Sequence, residues 1–126
     1  MLSQQDNMAS KIPDDFAERV RHRTAEIRRA IAAHDAVLSG TLQTRTKRCG
    51  QARCACQEDP AARHGPYHEW TRRRDGRQVN TKLDAEEAAI VASAIEDYRA
   101  VQGLLARWER EVEAELLDEN RRKSCK

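Results

Sequence analysis

The sequence predicts an α+β fold: an N-terminal helix, a small three-stranded antiparallel sheet with a zinc staple, and a long C-terminal helix packed antiparallel on the first. Three observations carry this. Cys49, Cys54, Cys56 and His64 fall within sixteen residues of a chain that has only one other cysteine. Apolar residues recur at three- and four-residue steps on both sides of that cluster. Between the two flanks the period changes to alternation around Asp75-Gly76, a strong two-residue hairpin signal.

The first helix is expected over 13–39. Residues 1–12 precede it as a disordered terminus without periodicity. Pro13 suits the first turn, and Asp14 and Asp15 stand where the helix dipole favours negative charge. Phe16, Val20, Thr24, Ile27, Ile31, His34 and Leu38 then draw one stripe that ends at Gly40. His34 lies on the stripe and reads as a core-edge histidine.

The sheet and zinc region is expected over 41–83. Thr41 to Arg48 alternates, with Leu42, Thr44 and Thr46 facing one way and Gln43, Arg45 and Lys47 the other. Tyr67 to Arg74 and Arg77 to Leu83 flank the hairpin turn. Its register places Arg74 opposite Arg77, Arg72 opposite Val79, Trp70 opposite Thr81 and His68 opposite Leu83. One face thereby collects Trp70, Val79 and Leu83 for covering the helices.

The second helix is expected over 84–119. Asp84 and Glu87 form a capping-box variant. Val91, Ile95, Tyr98, Val101, Leu105, Trp108, Val112 and Leu116 make a single stripe that can pair coiled-coil fashion with the first helix. Because the second helix is longer, its Trp108 to Leu117 part is expected to lack a partner within the chain. That face hints at a homodimer or a docked partner helix. A basic tail, 120–126, ends the chain.

Composition fits one domain over 13–119 that needs a staple. One Phe, two Trp and two Tyr among 126 residues give little bulk for a deep core. The 35% charged fraction and a mean hydropathy of −0.89 fit exposed helices, and nothing approaches a membrane-spanning run. No apolar signal stretch follows Met1, so a reducing, cytoplasmic setting is expected, where clustered thiols bind metal more often than they pair as disulfides.

Three thiolates and one imidazole make a closed tetrahedral zinc site of the structural kind. A disulfide framework is one alternative. Redox chemistry is another, although Cys54 and Cys56 are in a Cys-x-Cys pair that would bridge only with strain. His68 is the reserve ligand should His64 point away. Cys125, in the basic tail, is left out of the site. Iron also accepts thiolates.

Charge is segregated along the chain. Residues 41–82 carry ten Lys/Arg against four Asp/Glu, and residues 83–120 carry three against eleven. Arg45, Lys47, Arg73 and Lys82 share the open sheet face with only Glu69 against them, which suits phosphates. Gln43, Gln78 and Asn80 among them have side chains that can read base edges. A polar outer face is also what any sheet covered on one side shows to water. The sign bias and the Arg72-Arg73-Arg74 run favour nucleic acid, with DNA the expected partner.

Cys49-Gly50, Cys54-x-Cys56, His64-Gly65-Pro66-Tyr67, a charged hairpin and a helix with Tyr98-Arg99 together resemble a family of small uncharacterised bacterial proteins. Its signature is Cys-Gly-x3-Cys-x-Cys followed by His-Gly-Pro-Tyr, and its members are associated with transposases and other mobile elements. The resemblance spans about residues 39–110. It implies a shared zinc-type core, with Cys49, Cys54, Cys56 and His64 as ligands, and a link to mobile DNA. The chain departs from that pattern after the hairpin, where Lys82, Leu83 and Asp84 replace an aromatic residue and a proline.

Catalysis has little support, and no enzyme is expected. There is no glycine-rich phosphate loop and no recognisable nucleophile paired with His and acid. A full Cys3His set leaves no position for an activated water; only an open site would bring Glu58 or Glu69 into play as a base. The expected role is a zinc-stabilised, DNA-binding accessory or regulatory protein linked to a mobile element. The alternative is a protein-interaction adaptor that uses the long acidic helix.

Overall fold

The computed structural model describes residues 11–124. Met1 to Ser10, most of the expected disordered terminus, and Cys125 and Lys126 of the basic tail lie outside the described residues. The elements are α1 (Asp14–Arg23), α2 (Ala25–Ala32), β1 (Thr41–Lys47), two 3-10 turns (Ala55–Gln57 and Pro60–Ala62), β2 (His64–Arg74), β3 (Arg77–Leu83) and α3 (Ala85–Ser124). They gather into two compact units: residues up to Asp35 with those from Ala100 onward, and Ala36–Arg99.

In the helical unit Pro13 stands at the N-cap, with Asp14 and Asp15 in the first turn. The expected stripe is inward: Thr24 and Ile27 are buried, and Phe16, Val20 and Ile31 are half-buried. The single helix expected over 13–39 is instead two short ones. Thr24, 1% exposed, breaks the run because its hydroxyl donates back to the Val20 carbonyl at 2.7 Å. Such back-bonding bends helices. Arg28 then donates to the carbonyl of Arg21 at 2.8 Å and to the Thr24 hydroxyl, bracing the bend. The helix also stops at Ala32, short of 39. Beyond it the backbone N–H of Leu38 belongs to the sheet unit, where it donates to the Ala94 carbonyl at 3.1 Å. Tertiary pairing outweighs the alanine-rich helix propensity there.

The ion pairs give the direction of packing. Arg19 bonds Glu115 and Glu119, whereas Arg23, one turn later, bonds Glu111 and Glu115, so α1 and the end of α3 run antiparallel. Glu115 is the hub and is 8% exposed. Its hydrogen bond from Arg19, aided by Arg23, outweighs desolvation and holds its carboxyl below the usual carboxylate range. A depressed folded pKa contributes stability that is present above the unfolded value and lost as pH falls through the folded one. The urea midpoint of wild type should therefore exceed that of Glu115→Gln by a constant margin above about pH 5, and the margin should close below about pH 4. Midpoints measured from pH 7 to pH 3 on both proteins check this. A margin independent of pH would remove Glu115 from the role.

The α3 helix differs from the expected 84–119 at its end, continuing to Ser124. One face of Trp108 to Leu117 meets α1 through Glu111 and Glu115, while the apolar stripe of this stretch, expected to lack a partner within the chain, is open. Leu105, Leu116 and Leu117 are 46%, 56% and 47% exposed. No helix among the described residues is long and apolar enough to cross a membrane.

In the sheet unit the strands lie in the order β1-β2-β3, all antiparallel. Every hairpin pair expected from Asp75-Gly76 is found, from Arg74 opposite Arg77 to His68 opposite Leu83. Positive φ at both turn residues, 53° and 77°, gives the type I′ geometry whose twist matches the strands. The capping box is complete: Glu87 N–H donates to Asp84 Oδ1 at 2.8 Å and Asp84 N–H to Glu87 Oε1 at 3.0 Å. That reciprocal cap starts α3 in place of the aromatic and proline of the resemblance. Ala88, Val91, Ala94, Ile95 and Cys56 are this unit's buried apolar residues.

Entry into β1 depends on Gly40. Its φ is +116°, and a Cβ there would lie 2.4 Å from the Thr71 carbonyl oxygen and 2.7 Å from Trp70 Nε1, which itself donates to Ser39. Gly40→Ala should cost about 1–3 kcal/mol, read as a lower urea midpoint. Gly103→Ala, inside α3 with open space around it, should instead gain about 0.5–1 kcal/mol. Like signs for the two changes would contradict this packing.

Candidate metal centre and basic sheet face

Cys49 follows the end of β1, and His64 opens β2 opposite Lys47. The strand pairing thus brings together residues fifteen apart in sequence. Between them the loop folds on itself. Cys54 N–H donates to the Gln51 carbonyl at 3.2 Å, and the 3-10 turn at Ala55–Gln57 carries Cys56 inward to complete burial. The Gln57 amide ties the carbonyls of Cys49 and Gln51 at 2.7 and 3.2 Å. Asp59 caps the second turn at Ala61 N–H and returns the chain to His64.

The ligand atoms of Cys49, Cys54, Cys56 and His64 all lie within 4.8 Å of one another. Cys49 Sγ and Cys56 Sγ are 3.5 Å apart, and Cys54 Sγ is 3.4 Å from His64 Nε2. A tetrahedral ion with Zn–S near 2.3 Å and Zn–N near 2.05 Å implies edges of about 3.8 and 3.6 Å. The four residues therefore fit a metal ion, and 3.5 Å is far from a disulfide bond of about 2.05 Å. All three cysteines are free.

The surroundings suit a thiolate cluster. Cys49 N–H donates to Cys56 Sγ at 3.3 Å. The backbone N–H of Cys56 and the imidazole of His64 pull the Cys54 thiol down to about 6. For Cys56 the Cys49 N–H favours the thiolate, but burial and the neighbouring sulfurs push its pKa up. Buried sulfur beside sulfur is what a bound cation would relieve. His68, the reserve ligand, is directed elsewhere: its Nδ1 lies 2.8 Å from Thr44 Oγ1. Neither Glu58 nor Glu69 belongs to the cluster.

The sheet face expected to be basic is open. Gln43, Arg45, Lys47, Arg73, Gln78, Asn80 and Lys82 are all exposed. The structure divides them. Arg45, Lys47 and Lys82 line a cavity of about 250 Å³ with Tyr67, His68 and Glu69, next to the strand ends that carry the metal cluster. Arg73, Gln78 and Asn80 sit toward the hairpin turn, where Arg73 donates to the Gly76 carbonyl at 3.2 Å and Gln78 reaches Asn80 at 3.5 Å. Gln43 stands opposite Glu69. Arg72 is on the other face, stacked 3.9 Å from the Trp70 ring and bonded to Thr81.

Tyr67 is the residue that sequence reasoning missed. The second strand was expected to begin at Tyr67; β2 begins at His64 and takes in Gly65 and Pro66 as well, yet Tyr67 was not counted among the residues of the basic face. Continuing the alternation back from Glu69 would have put Tyr67 on the basic face.

The family model described as "Domain of unknown function (DUF6788)" matches residues 17–92. The chain belongs to this family. No curated protein and no solved structure matches it. The DUF6788 match takes in most of α1, the whole metal cluster, all three strands and the first turns of α3. It begins earlier and ends earlier than the 39–110 span of the motif resemblance.

Proposed function

We propose that this DUF6788 protein is a zinc-stabilised DNA-binding accessory or regulatory protein, linked to a mobile element, that contacts DNA through the basic face of the sheet. The observation that carries the reading is the grouping of exposed Arg45, Lys47 and Lys82 in one concavity beside the metal cluster, with Glu69 the only acidic residue lining it among the described residues. Three cations on paired strands offer contacts to a phosphate backbone. Zinc is the metal proposed because three thiolates and an imidazole are a typical structural zinc set. When bound, it would hold the two strand ends and the loop together. Cys49, Cys54, Cys56 and His64 would fill all four positions of a tetrahedral ion, so the proposed role is non-catalytic. The link to mobile DNA rests on the motif resemblance. Charge reversal at Arg45 and Lys82, with affinity measured across salt, tests the DNA reading.

A second reading is favoured by the open strip on α3. Leu105, Trp108, Val112 and Leu116 line a shallow apolar concavity edged by Glu109 and Glu113. An adaptor would dock a partner helix there, and its binding would resist salt.

A further inference from the structure

The cavity on the basic face contains an aromatic ring that phosphate binding does not require. Tyr67 is 47% exposed and stands among Arg45, Lys47 and Lys82. Lys47 Nζ lies over the ring, 5.5 Å from its centroid. Core packing does not account for a tyrosine in this position.

The ring is also firmly placed. Tyr67 pairs with Arg45 within the sheet, just before the bulge between Arg45 and Lys47. Gly65, at φ +118°, lets the backbones close up there; a Cβ on it would sit 3.0 Å from Tyr67 N and 3.1 Å from the Arg45 carbonyl oxygen. A ring on a paired strand loses little entropy when a ligand stacks on it.

Size and charge decide what fits. At about 250 Å³ the cavity is smaller than the roughly 300–1,000 Å³ typical of drug-sized ligands, and of a scale for a single base. Glu69 lines it as well, a carboxylate that can accept a hydrogen bond from a base edge and that a phosphate would approach less readily than the cations at Arg45, Lys47 and Lys82. Phosphates are then left to the three cations around the ring. A base inside a duplex has both faces stacked and cannot offer one to Tyr67.

Resting on the DNA-binding reading above, we infer that the site takes single-stranded DNA, with one unpaired base stacked on Tyr67 and the flanking phosphates on Arg45, Lys47 and Lys82. Lys47 leaves the ring face as the base arrives and turns to the backbone. Melted or displaced DNA strands are thus the substrate class.

The test is fluorescence anisotropy at low salt with a labelled 12-nucleotide DNA strand, the same strand annealed to its complement, and an RNA strand of that sequence. Wild type, Tyr67→Leu and Tyr67→Phe are compared, with metal content checked for each. The single DNA strand should bind about tenfold more tightly than the duplex. Tyr67→Leu should lose about tenfold on the single strand and nothing on the duplex, and Tyr67→Phe should retain wild-type affinity. Equal affinity for strand and duplex, or no loss in Tyr67→Leu, would overturn the stacking inference while leaving the DNA-binding reading intact. RNA bound tenfold more tightly than DNA would overturn DNA as the occupant. Binding to none of the three would overturn both.

Discussion

Cys56→Ser should abolish metal binding and unfold the sheet unit. Cys56 is the fully buried member of the cluster, it accepts the N–H of Cys49, and its sulfur is 3.5 Å from Cys49 Sγ. Serine offers a harder oxygen on a shorter bond and cannot complete the set. The consequence is large because structural zinc supplies about 10–16 kcal/mol of apparent binding free energy in small domains, comparable with a whole domain's net stability of about 5–15 kcal/mol. Apart from Cys56, the buried apolar residues of this unit are Ala88, Val91, Ala94 and Ile95, too few to replace that contribution. The measurement is thermal unfolding of the variant beside wild type treated with a chelator and then resupplied with zinc. Both metal-free forms should lack the sheet unit's transition, and zinc should restore it only in wild type. A chelated wild type that keeps its transition would show that packing alone sustains the unit.

If the proposed DNA-binding role holds, reversing Arg45 and Lys82 to glutamate should weaken DNA binding by on the order of 100-fold at low salt and make the log–log salt dependence shallower by about two. Both side chains are exposed and both line the same cavity, so the change alters charge at one place with little consequence for packing. Arg72→Glu is not an equivalent control, since Arg72 stacks on Trp70 and bonds Thr81 on the covered face. Filter binding or anisotropy at several salt concentrations checks the expectation. Affinity that is unchanged by the double reversal, or insensitive to salt, would move the function to the apolar strip at Leu105 and Leu116.

Legibility in the sequence followed the range of the interactions. The hairpin register was readable residue by residue because a two-residue Asp-Gly turn allows one pairing, and side-chain alternation does the rest. The metal cluster was readable because four ligand residues were close in sequence; the structure adds that β2 begins at His64, so that residue is held by the sheet. The inward stripe of Phe16, Val20, Thr24 and Ile27 was readable as a stripe, but not as two helices. Threonine is tolerated on a helix face, and whether its hydroxyl turns back to Val20 depends on burial that no local pattern records. The partner of the α3 terminus was hidden for another reason. Arg19 and Arg23 meet Glu111, Glu115 and Glu119 across about ninety residues of chain, and charged residues at helical spacing look the same whether solvated or paired. Tyr67 was placed on its strand, but only the charged and amide side chains of that face were read as a site.

Metal content of protein purified without added metal, combined with X-ray absorption at the metal edge, addresses the organising role of Cys49, Cys54, Cys56 and His64 most directly. One zinc per chain is expected, with three sulfur neighbours near 2.3 Å and one nitrogen near 2.05 Å. Folded protein that contains no metal, or a metal without sulfur neighbours, would contradict it.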